Sequence, residues 1–434
     1  MIKETASWRD PGADQASTSD RRPLRIALVT ETYPPEINGV ATTVAQLVGG
    51  LNRRGHHVEL VRPFQAGVDA CGSARGGLEA RPVTEAFVER LARGMPVPGY
   101  PGLRMGLPAT GALHRAWSHS RPDVVHIATE GPLGWSALRA ALRSGLPVVS
   151  EFRTNFHAYS AHYGLGLMRD WVLAYLRRFH NRCGFTMVPT RGLASDLEAL
   201  GFDRLKVVAR GVDARRFGPS RRSAALRISW GAGPEDLVVL SVGRLAPEKN
   251  LELLASSFLR MKATHPGVRL VVVGDGPARP WLEDKLPGSV FAGRRVGDDL
   301  VEHYASADLL LFPSLTETFG NVTLEAMASG LAVVAFDYGA ARMAVRHGIH
   351  GWLAPFGDPE SFVGMALRAA GDVGVTRGLG AEARRAAESM AWDEVIGEVL
   401  QVYREAIRSI DERSHEGRRC AATTDSDRQV ASVL

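Results

Sequence analysis

Short apolar runs alternate with amphipathic segments along most of the chain, and this alternation constrains the fold more than any other feature of the sequence. In the first half the apolar runs fall at residues 25–30, 58–62, 124–128, 148–152 and 186–189. The pattern restarts after a stretch rich in Pro, Ser and Arg, with runs at 237–242, 269–274, 289–292, 309–313 and 332–336. Such alternation is typical of parallel βαβ units. The sequence therefore predicts two doubly wound α/β domains with a ligand cleft between them.

The length of 434 residues is sufficient for two domains and excludes a single small binding module. We expect loose polar tails at residues 1–23 and 411–434. Between them we expect a first domain at 24–215 and a second at 216–410, whose last helix is expected to pack back on the first.

Local signals agree with the periodicity. Gly55 follows the helical pattern of residues 41–54 as a stop signal. Thr190 is expected to cap a helix over 191–200, which Gly201 then ends.

The composition narrows the class of protein. Hydrophobic residues make up 45% of the chain and charged residues 23%, which excludes a disordered or fibrous protein. No apolar run approaches the length of about 18 residues that spans a membrane. The first residues lack the apolar core of a secretory signal, and Cys71, Cys183 and Cys420 are too far apart for a disulfide ladder or a metal cluster. We therefore expect a protein of the reducing cytoplasm without a bound metal.

Charge is distributed unevenly between the two halves. Residues 1–215 carry a net charge of +8 and the remainder carries −3, which together give the formal +5. The basic first half is where we expect an anionic partner to bind. The basic residues are scattered among acidic ones, however, and form no known nucleic-acid-binding module, so we expect no nucleic-acid partner.

Residues 313–330 carry two carboxylates, Glu317 and Glu325, eight positions apart. The first falls in a loop after a predicted strand and the second on the helix that follows, so both can face the crevice beyond the strand. Between them lie three backbone amides at the start of the helix, those of Phe319, Gly320 and Asn321. Carboxylates suit sugar hydroxyls and helix-start amides suit phosphate, so the segment predicts a sugar-nucleotide site. The alternative is a pair of solvated charges at a helix end.

This segment closely resembles the Glu-x7-Glu motif of the family 4 retaining glycosyltransferases, which have the GT-B fold of two facing Rossmann-like domains. The resemblance covers roughly residues 24–408. It implies an N-terminal acceptor domain and a C-terminal nucleotide-sugar domain. It also implies that Glu317 contacts the transferred sugar, that Glu325 holds the ribose hydroxyls, and that the amides of residues 319–321 support the sugar and the diphosphate.

Residues 241–251 (SVGRLAPEKNL) resemble the phosphate clamp of the same family. Arg244 and Lys249 lie five positions apart around a Pro-containing turn, so two cations can converge on a diphosphate whose charge grows as the glycosidic bond breaks. We expect both to stabilise the leaving group. The alternative is a surface loop with ordinary charges.

Two further stretches of the second half resemble nucleotide-binding segments of the family. Residues 271–277 (VVVGDGP) contain Gly274 and Gly276, which permit a tight turn near the nucleotide. They lack the full G-x-G-x-x-G spacing and do not open a first βαβ unit, so NAD is not expected. Residues 291–295 (FAGRR) resemble the segment beside the nucleobase, which places Arg294 near the base.

In the first half, residues 30–40 (TETYPPEINGV) resemble the family's glycine-containing loop, which closes over the donor diphosphate and the acceptor. Gly39 is the position to which this role is carried over, because Asn38 stands where relatives often have a second glycine. A simple turn between strand and helix is the alternative.

Residues 98–108, 123–134 and 210–217 resemble a branch of the family that builds glycolipids from GDP-mannose or related donors. Within them Glu130 follows a predicted strand and is a candidate residue on the acceptor side. His126, inside an apolar strand, is expected to be structural.

One departure from the family falls at Arg153, in the segment SEFRTNFHAY, where many relatives have histidine. The resemblance makes Arg153 a candidate residue on the acceptor side, and it implies that the histidine of relatives contacts the donor sugar or phosphate rather than acting as an obligatory base. Arginine can hold an anion but cannot accept a proton, so base catalysis at this position is not expected. The spacing of His157 does not show that it compensates.

Residues 167–182 combine an apolar helical stripe with four arginines. Such a basic amphipathic helix could rest on anionic lipid, whereas the alternative is a core-facing helix with a solvated arginine face.

Together these features predict a retaining hexosyltransferase that moves mannose from GDP-mannose to a lipid or saccharide hydroxyl, without metal or cofactor. A UDP-sugar-dependent glucosyl- or sulfoquinovosyl-transferase acting on diacylglycerol is the first alternative. A non-catalytic sugar-nucleotide-binding homologue is the second.

Overall fold

A computed structural model of the protein describes residues 22–36, 38–65, 69, 78–96, 104–153 and 166–431, with the backbone alone for 166–169 and 413–431. The expected N-terminal tail lies outside the described residues except for positions 22 and 23. Cys71, His157 and residues 98–103 also lie outside them.

The first half forms an eight-stranded sheet in the order β10-β9-β8-β7-β1-β2-β4-β3. Its strands are β1 (Arg25–Val29), β2 (His57–Pro63), β3 (Leu78–Thr84), β4 (Phe87–Ala92), β7 (Val124–Ile127), β8 (Val148–Glu151), β9 (Phe185–Val188) and β10 (Leu205–Val207). All neighbours pair in parallel except the edge strand β3, which is antiparallel to β4. A separate antiparallel pair joins β5 (Gly94–Pro96) and β6 (Arg104–Gly106).

Helices connect these strands. They are α1 (Gly39–Arg53), α2 (Thr110–His119), α3 (Pro132–Arg143), α4 (Gly166–His180) and α5 (Arg191–Ala199). The sequence explains where several of them begin: the Asn38 side chain accepts a hydrogen bond from the Ala41 amide at 2.8 Å, and the Thr190 side chain accepts one from the Leu193 amide. The expected cap at Thr190 is confirmed.

The second half forms a six-stranded, fully parallel sheet in the order β13-β12-β11-β14-β15-β16. Its strands are β11 (Val238–Val242), β12 (Arg269–Val273), β13 (Val290–Gly293), β14 (Leu309–Phe312), β15 (Ala332–Phe336) and β16 (Gly351–Ala354). β14 and β15 are buried along their whole length, which explains why they read as unbroken apolar runs.

Nine helices accompany this half within the described residues. They are α6 (Ala224–Ser229), α7 (Leu251–Thr264), α8 (Arg279–Lys285), α9 (Gly297–Ser306), α10 (Asn321–Ala328), α11 (Gly339–Ala344), α12 (Pro359–Gly371), α13 (Val373–Glu388) and α14 (Trp392–Ala431). Buried apolar side chains pack on both faces of the sheet, in two separate clusters. The predicted α/β class with two Rossmann-like units is confirmed.

The last helix, α14, returns to the first sheet. Ile396, Val399 and Tyr403 pack in the same cluster as the strand residues Ile26 and Val149. The approach is close, because a Cβ atom added to Gly50 would lie 1.8 Å from Ile396 Cδ1. The two halves of the chain are therefore joined by packing as well as by the chain itself.

α14 continues to Ala431, so the expectation of a loose tail from residue 411 is wrong for the backbone up to this point. The stretch lacks an apolar stripe, which is why it read as a tail. It is nevertheless free of proline, which would interrupt an established helix.

In each sheet, the loops that follow the carboxyl ends of the parallel strands lie on the same side. In a doubly wound sheet the carboxyl ends of the parallel strands form the ligand-binding edge. Within the described residues, no helix combines the length and the apolar character that crossing a membrane requires.

Candidate active site

Two carboxylates of the second half lie where β14 ends. Glu317 stands in the loop after the strand and Glu325 lies on α10, the helix that follows. Gly320 is the residue before this helix and has a φ of +98°, a left-handed conformation that favours glycine. The first amides of α10 have no acceptor within their own helix, so they remain able to bind an anion.

Glu317 contacts residues from three other positions on this edge. The Lys249 Nζ forms an ion pair with Glu317 Oε1, and the Ser314 hydroxyl donates to the same oxygen at 2.8 Å. The Tyr338 hydroxyl donates to the Glu317 carbonyl at 2.6 Å. The structure thus joins two predicted site residues that lie 68 positions apart.

Arg244 and Lys249 each form an ion pair with a carboxylate. Arg244 follows β11, has a side chain that is 51% exposed, and forms an ion pair with Glu248. Lys249 ends a short 3-10 turn, Pro247–Lys249, just before α7. Both cations are therefore held at the edge of the sheet by partners that an anionic ligand could replace.

Glu325 accepts a hydrogen bond from a buried tyrosine. The Tyr304 hydroxyl donates to Glu325 Oε2 at 2.8 Å. Burial raises the pKa of the Glu325 carboxyl above its usual range, against the opposing effects of this hydrogen bond and of the Arg216 charge. The carboxylate retains further acceptor positions, which suit neighbouring hydroxyls.

Gly274 and Arg294 lie on the same edge, farther along the sheet. Gly274 follows β12 with a φ of +138°, and a Cβ atom there would lie 1.9 Å from the Gly243 carbonyl oxygen. Glycine at this position is thus required for contact between two loops. Arg294 follows β13 and is exposed. Neither is seen to contact the other predicted residues within the described chain.

The start of α1 faces the start of α10 across the two halves. A Cβ atom on Gly39 would lie only 3.8 Å from the Asn321 Nδ2 atom. The Thr318 hydroxyl also crosses between the halves and donates to the Arg153 carbonyl at 3.2 Å. Two helix N-termini, which carry partial positive charge, therefore meet beside Glu317.

The carboxyl ends of β1 and β7 carry a second pair of acids, Glu31 and Glu130. The Glu31 side chain accepts hydrogen bonds from the amides of Gly106, at 2.5 Å, and Leu133, at 2.9 Å. Burial raises the pKa of each carboxyl to about 7. Glu130 was predicted from the sequence and Glu31 was not, although residue 31 lies inside a segment that resembles the family.

A group of charged side chains lies next to this pair, around the end of β8. Glu151, at the end of β8, is in contact with Arg153 and lies 3.2 Å from His126 Nε2. Burial alone would raise the pKa of Glu151, but the charge of Arg153 and the contact with His126 hold it well below its usual range. His126 Nδ1 lies 2.6 Å from the Tyr403 hydroxyl of α14. His126 is thus packed and hydrogen-bonded.

Arg210 completes this group and was not singled out from the sequence. Its Nη1 donates to the Thr43 hydroxyl on α1 at 3.0 Å, and its guanidinium carbon lies 5.9 Å from the centre of the Phe319 ring. Burial, and next the charge of Arg153, lowers the pKa of Arg210 to about 9. Among the described side chains, no group of three or more His, Cys, Asp or Glu has an arrangement that could hold a metal ion.

Comparison with known proteins assigns the chain to a class of enzyme. Residues 37–216 match the model of "Glycosyltransferase Family 4", and residues 236–372 match that of "Glycosyl transferases group 1". The fold and the site define a glycosyltransferase with two Rossmann-like domains.

Curated relatives extend over nearly the whole chain. A GDP-mannose-dependent alpha-mannosyltransferase of Mycobacterium tuberculosis is 34% identical, over 89% of this chain and 97% of the relative. The protein of the same name from Mycolicibacterium smegmatis is 33% identical, over 88% and 97%. A sulfoquinovosyl transferase of Arabidopsis thaliana is 30% identical, over 86% and 71%. The chain belongs to glycosyltransferase family 4, and the resemblance found in the sequence is confirmed.

A solved structure supports the fold. Sucrose-phosphate synthase from Thermosynechococcus elongatus superposes with a TM-score of 0.70 at 18% identity, and the match covers 88% of this chain and 99% of that one. At this identity the likeness concerns the architecture alone.

Proposed function

We propose that this glycosyltransferase transfers mannose from GDP-mannose to a hydroxyl of a lipid or saccharide acceptor, with retention of anomeric configuration. The observation that carries the proposal is the Lys249–Glu317 ion pair beside the start of α10, since it combines a diphosphate-binding cation and a sugar-binding carboxylate in one place. The mannosyl donor is supported by the names of the two mycobacterial relatives.

The donor is proposed to lie along the edge of the second sheet. Arg294 stands beside the base, Glu325 accepts hydrogen bonds from the ribose hydroxyls, and the amides at the start of α10 hold the diphosphate. Lys249 and Arg244 then exchange their carboxylate partners for the phosphates. This exchange releases Glu317 to bind hydroxyls of the transferred sugar.

Transfer proceeds as a substitution at the anomeric carbon. The bond from this carbon to the diphosphate oxygen breaks, and a bond to the acceptor oxygen forms on the same face. The acceptor proton passes to the departing diphosphate oxygen. Arg244, Lys249 and the two facing helix N-termini stabilise the charge that develops on the diphosphate. These cations give the site its own means of neutralising the leaving group, so we propose that transfer is metal-independent.

We further propose that the enzyme works in the cytoplasm and contacts anionic membrane through α4. Leu176 and Phe179 of its apolar stripe are buried in the core. Trp171 and Tyr175 of the same stripe are 78% and 42% exposed. Exposed arginines adjoin them, and the Tyr175 hydroxyl donates to the Glu130 carbonyl at 2.5 Å. The exposed face therefore adjoins the proposed acceptor side.

Sedimentation with anionic phosphatidylglycerol vesicles at low salt tests this contact. Trp171→Ala should reduce the bound fraction several-fold, because an interfacial tryptophan is lost. Trp281→Ala, which removes a partly exposed tryptophan of the second half, is the matched control and should not change binding. Failure of the unaltered protein to sediment with the vesicles would contradict the proposal.

Calorimetry with GDP-mannose, GDP, UDP-glucose and UDP in the presence of EDTA tests the donor. Guanine-selective binding with slow release of mannose is expected. A second candidate, a UDP-sugar-dependent transferase acting on diacylglycerol, is favoured by the similarity to the Arabidopsis sulfoquinovosyl transferase, and selective binding of UDP would support it. Binding without hydrolysis or transfer would indicate a non-catalytic homologue.

A further inference from the structure

Tyr304 donates a hydrogen bond to the carboxylate that we propose binds the ribose. The bond runs from the tyrosine hydroxyl on α9 to Glu325 Oε2 on α10, at 2.8 Å. Tyr304 is fully buried, whereas Glu325 is partly exposed. One carboxylate oxygen is thus held from the core side, and the carboxylate keeps acceptor capacity for hydroxyls of a ligand.

The Tyr304 ring is held in place by packing. The ring of Phe217, on the segment that joins the two halves, lies edge-on against it, with ring centres 5.6 Å apart and an interplanar angle of 83°. Both rings belong to one buried cluster with Leu310 of β14 and Leu324 of α10. Close packing leaves the tyrosine little freedom to turn its hydroxyl away from Glu325.

The backbone beside Tyr304 is fixed by the same joining segment. Arg222 Nη1 donates to the carbonyls of Ala305 and Ala307, at 3.2 and 2.9 Å. Arg222 Nη2 donates to Asp308 Oδ1 at 2.8 Å. These bonds secure the end of α9, so the hydroxyl of Tyr304 is presented from a rigid element.

A buried tyrosine hydroxyl needs an acceptor, so a contribution to the core alone is the simpler reading of this contact. The nature of the acceptor argues for a second role. Burial raises the pKa of the Glu325 carboxyl, and the hydrogen bond from Tyr304 opposes this rise because it favours the ionised form. It also restricts a long side chain before the ligand arrives, which lowers the entropic cost of binding.

We infer that Tyr304 is a positioning residue for nucleotide binding, which fixes the Glu325 carboxylate in the orientation that accepts hydrogen bonds from the ribose hydroxyls. Tyr304 acts through Glu325 and does not contact the nucleotide, since it is fully buried. The inference rests on the proposed function, which it deepens, because it takes Glu325 as the ribose-binding residue.

Calorimetry with two nucleotides tests this inference. The probes are GDP and 2′,3′-dideoxy-GDP, which lacks only the two ribose hydroxyls that Glu325 is proposed to bind. We expect the unaltered protein to bind GDP at least about tenfold more tightly than dideoxy-GDP. Tyr304→Phe removes one hydroxyl and should reduce this preference to about threefold or less, while the affinity for dideoxy-GDP changes by less than about twofold.

Tyr403→Phe is the matched control. Tyr403 is also fully buried, and its hydroxyl lies 2.6 Å from His126 Nδ1, so this variant loses a buried hydrogen bond away from the proposed nucleotide site. It should keep the full preference for GDP. Phe217→Leu is a second test variant, which loosens the Tyr304 ring but keeps its hydroxyl, and it should reduce the preference by a smaller factor. Urea unfolding checks that each variant is folded.

Loss of the preference in Tyr304→Phe, with nearly unchanged affinity for dideoxy-GDP, supports the inference. An undiminished preference in Tyr304→Phe and Phe217→Leu would overturn it. An equal loss of affinity for both nucleotides would also overturn it, because Tyr304 would then support the fold of the site rather than the carboxylate. Equal binding of GDP and dideoxy-GDP by the unaltered protein would overturn the inference and leave nucleotide binding intact. If the unaltered protein bound neither, the proposed GDP-mannose donor would be contradicted, and the inference with it.

Discussion

The ligand-facing edges of the two sheets hold their charges in different ways. At the second sheet, Arg244 and Lys249 form ion pairs that solvent reaches, with side chains 51% and 24% exposed. At the first sheet, Arg153 and Glu151 are 3% and 13% exposed, and the pKa of Glu151 is strongly displaced.

We propose that this difference separates two tasks, donor binding at the second sheet and acceptor choice at the first. Exposed ion pairs are weak and exchange partners at low cost, which suits a site that binds and releases a diphosphate repeatedly. Buried charges are fixed in position and costly to leave unpaired, which suits discrimination among acceptors. We call the ligand-facing edges of the first and second sheets the first edge and the second edge. The chemical step is therefore expected to depend mainly on the second edge, and the choice of acceptor on the first edge.

The largest expected effect comes from Lys249→Ala. Removing the cation that we propose stabilises the leaving group should reduce kcat by about 10²- to 10³-fold. Because Lys249 is partly exposed and Arg244 and the helix amides remain, the loss of donor affinity should be smaller. Steady-state kinetics of donor hydrolysis and transfer would measure both.

Lys285→Ala, on an exposed position of α8, is the control for the loss of a positive charge and should retain normal rates. If Lys249→Ala turned over nearly as fast as the unaltered enzyme, Lys249 would not stabilise the leaving group. The proposed catalytic role of the second edge would then be contradicted.

Glu325→Ala should act on binding rather than on the chemical step. Loss of the carboxylate that we propose accepts hydrogen bonds from the ribose should weaken GDP affinity by about tenfold to a hundredfold. Calorimetry would measure this change, with Glu302→Ala on an exposed position of α9 as the matched control. A Glu325 variant that binds GDP normally but turns over slowly would contradict the proposal, because Glu325 would then act in the chemical step rather than in nucleotide binding.

The pH dependence of stability probes the first edge. Glu130 has a pKa of about 7 in the folded protein, raised by burial from 4.5, so the folded chain binds more protons than the unfolded chain between these values. Stability should therefore fall as pH rises through this window. Glu130→Gln should make the decrease in the free energy of unfolding smaller by on the order of 1–2 kcal/mol. Part of the decrease should remain, because Glu31 is still present.

Urea unfolding at several pH values between about 4.5 and 7.5 would measure the fall in the free energy of unfolding. Glu198→Gln, on an exposed position of α5, should leave the pH dependence unchanged. If Glu130→Gln and the unaltered protein lost equal stability across this pH range, the raised pKa of the buried Glu130 carboxyl would be contradicted.

The two edges also differed in how much could be predicted from the sequence. Glu317, Glu325 and the start of α10 lie within one short segment, so their arrangement followed from local order in the chain. Glu31, Glu151 and Arg210 lie at or after the ends of strands that are distant in sequence, and only the sheet order β8-β7-β1 brings the first two to one edge. Spacing along the chain holds no signal for such a group.

The fold shows the same limit. Central parallel strands such as β14 and β15 read as apolar runs because both of their faces are buried. The edge strand β3 is mostly exposed, and Glu89 and Arg90 interrupt the apolar residues of its neighbour β4, so the periodicity predicted no strand over residues 63–123. The helical continuation of α14 was missed for a related reason, since helix propensity without an apolar face leaves no periodic pattern.

The smallest expected effect compares one glycine from each side of the contact between α1 and α10. Gly320 has a φ of +98°, so Gly320→Ala should lower the free energy of unfolding by about 1 kcal/mol or somewhat more. Gly39 lies at the start of α1, and a Cβ atom there would be 3.8 Å from its nearest neighbour, an ordinary contact. Gly39→Ala should therefore change stability by less than about 0.5 kcal/mol. Denaturant unfolding of both variants measures the difference. Equal destabilisation would mean that the glycine on the first edge is also under conformational constraint, so that its role would be to shape the backbone rather than to leave room for a ligand between the two helix starts.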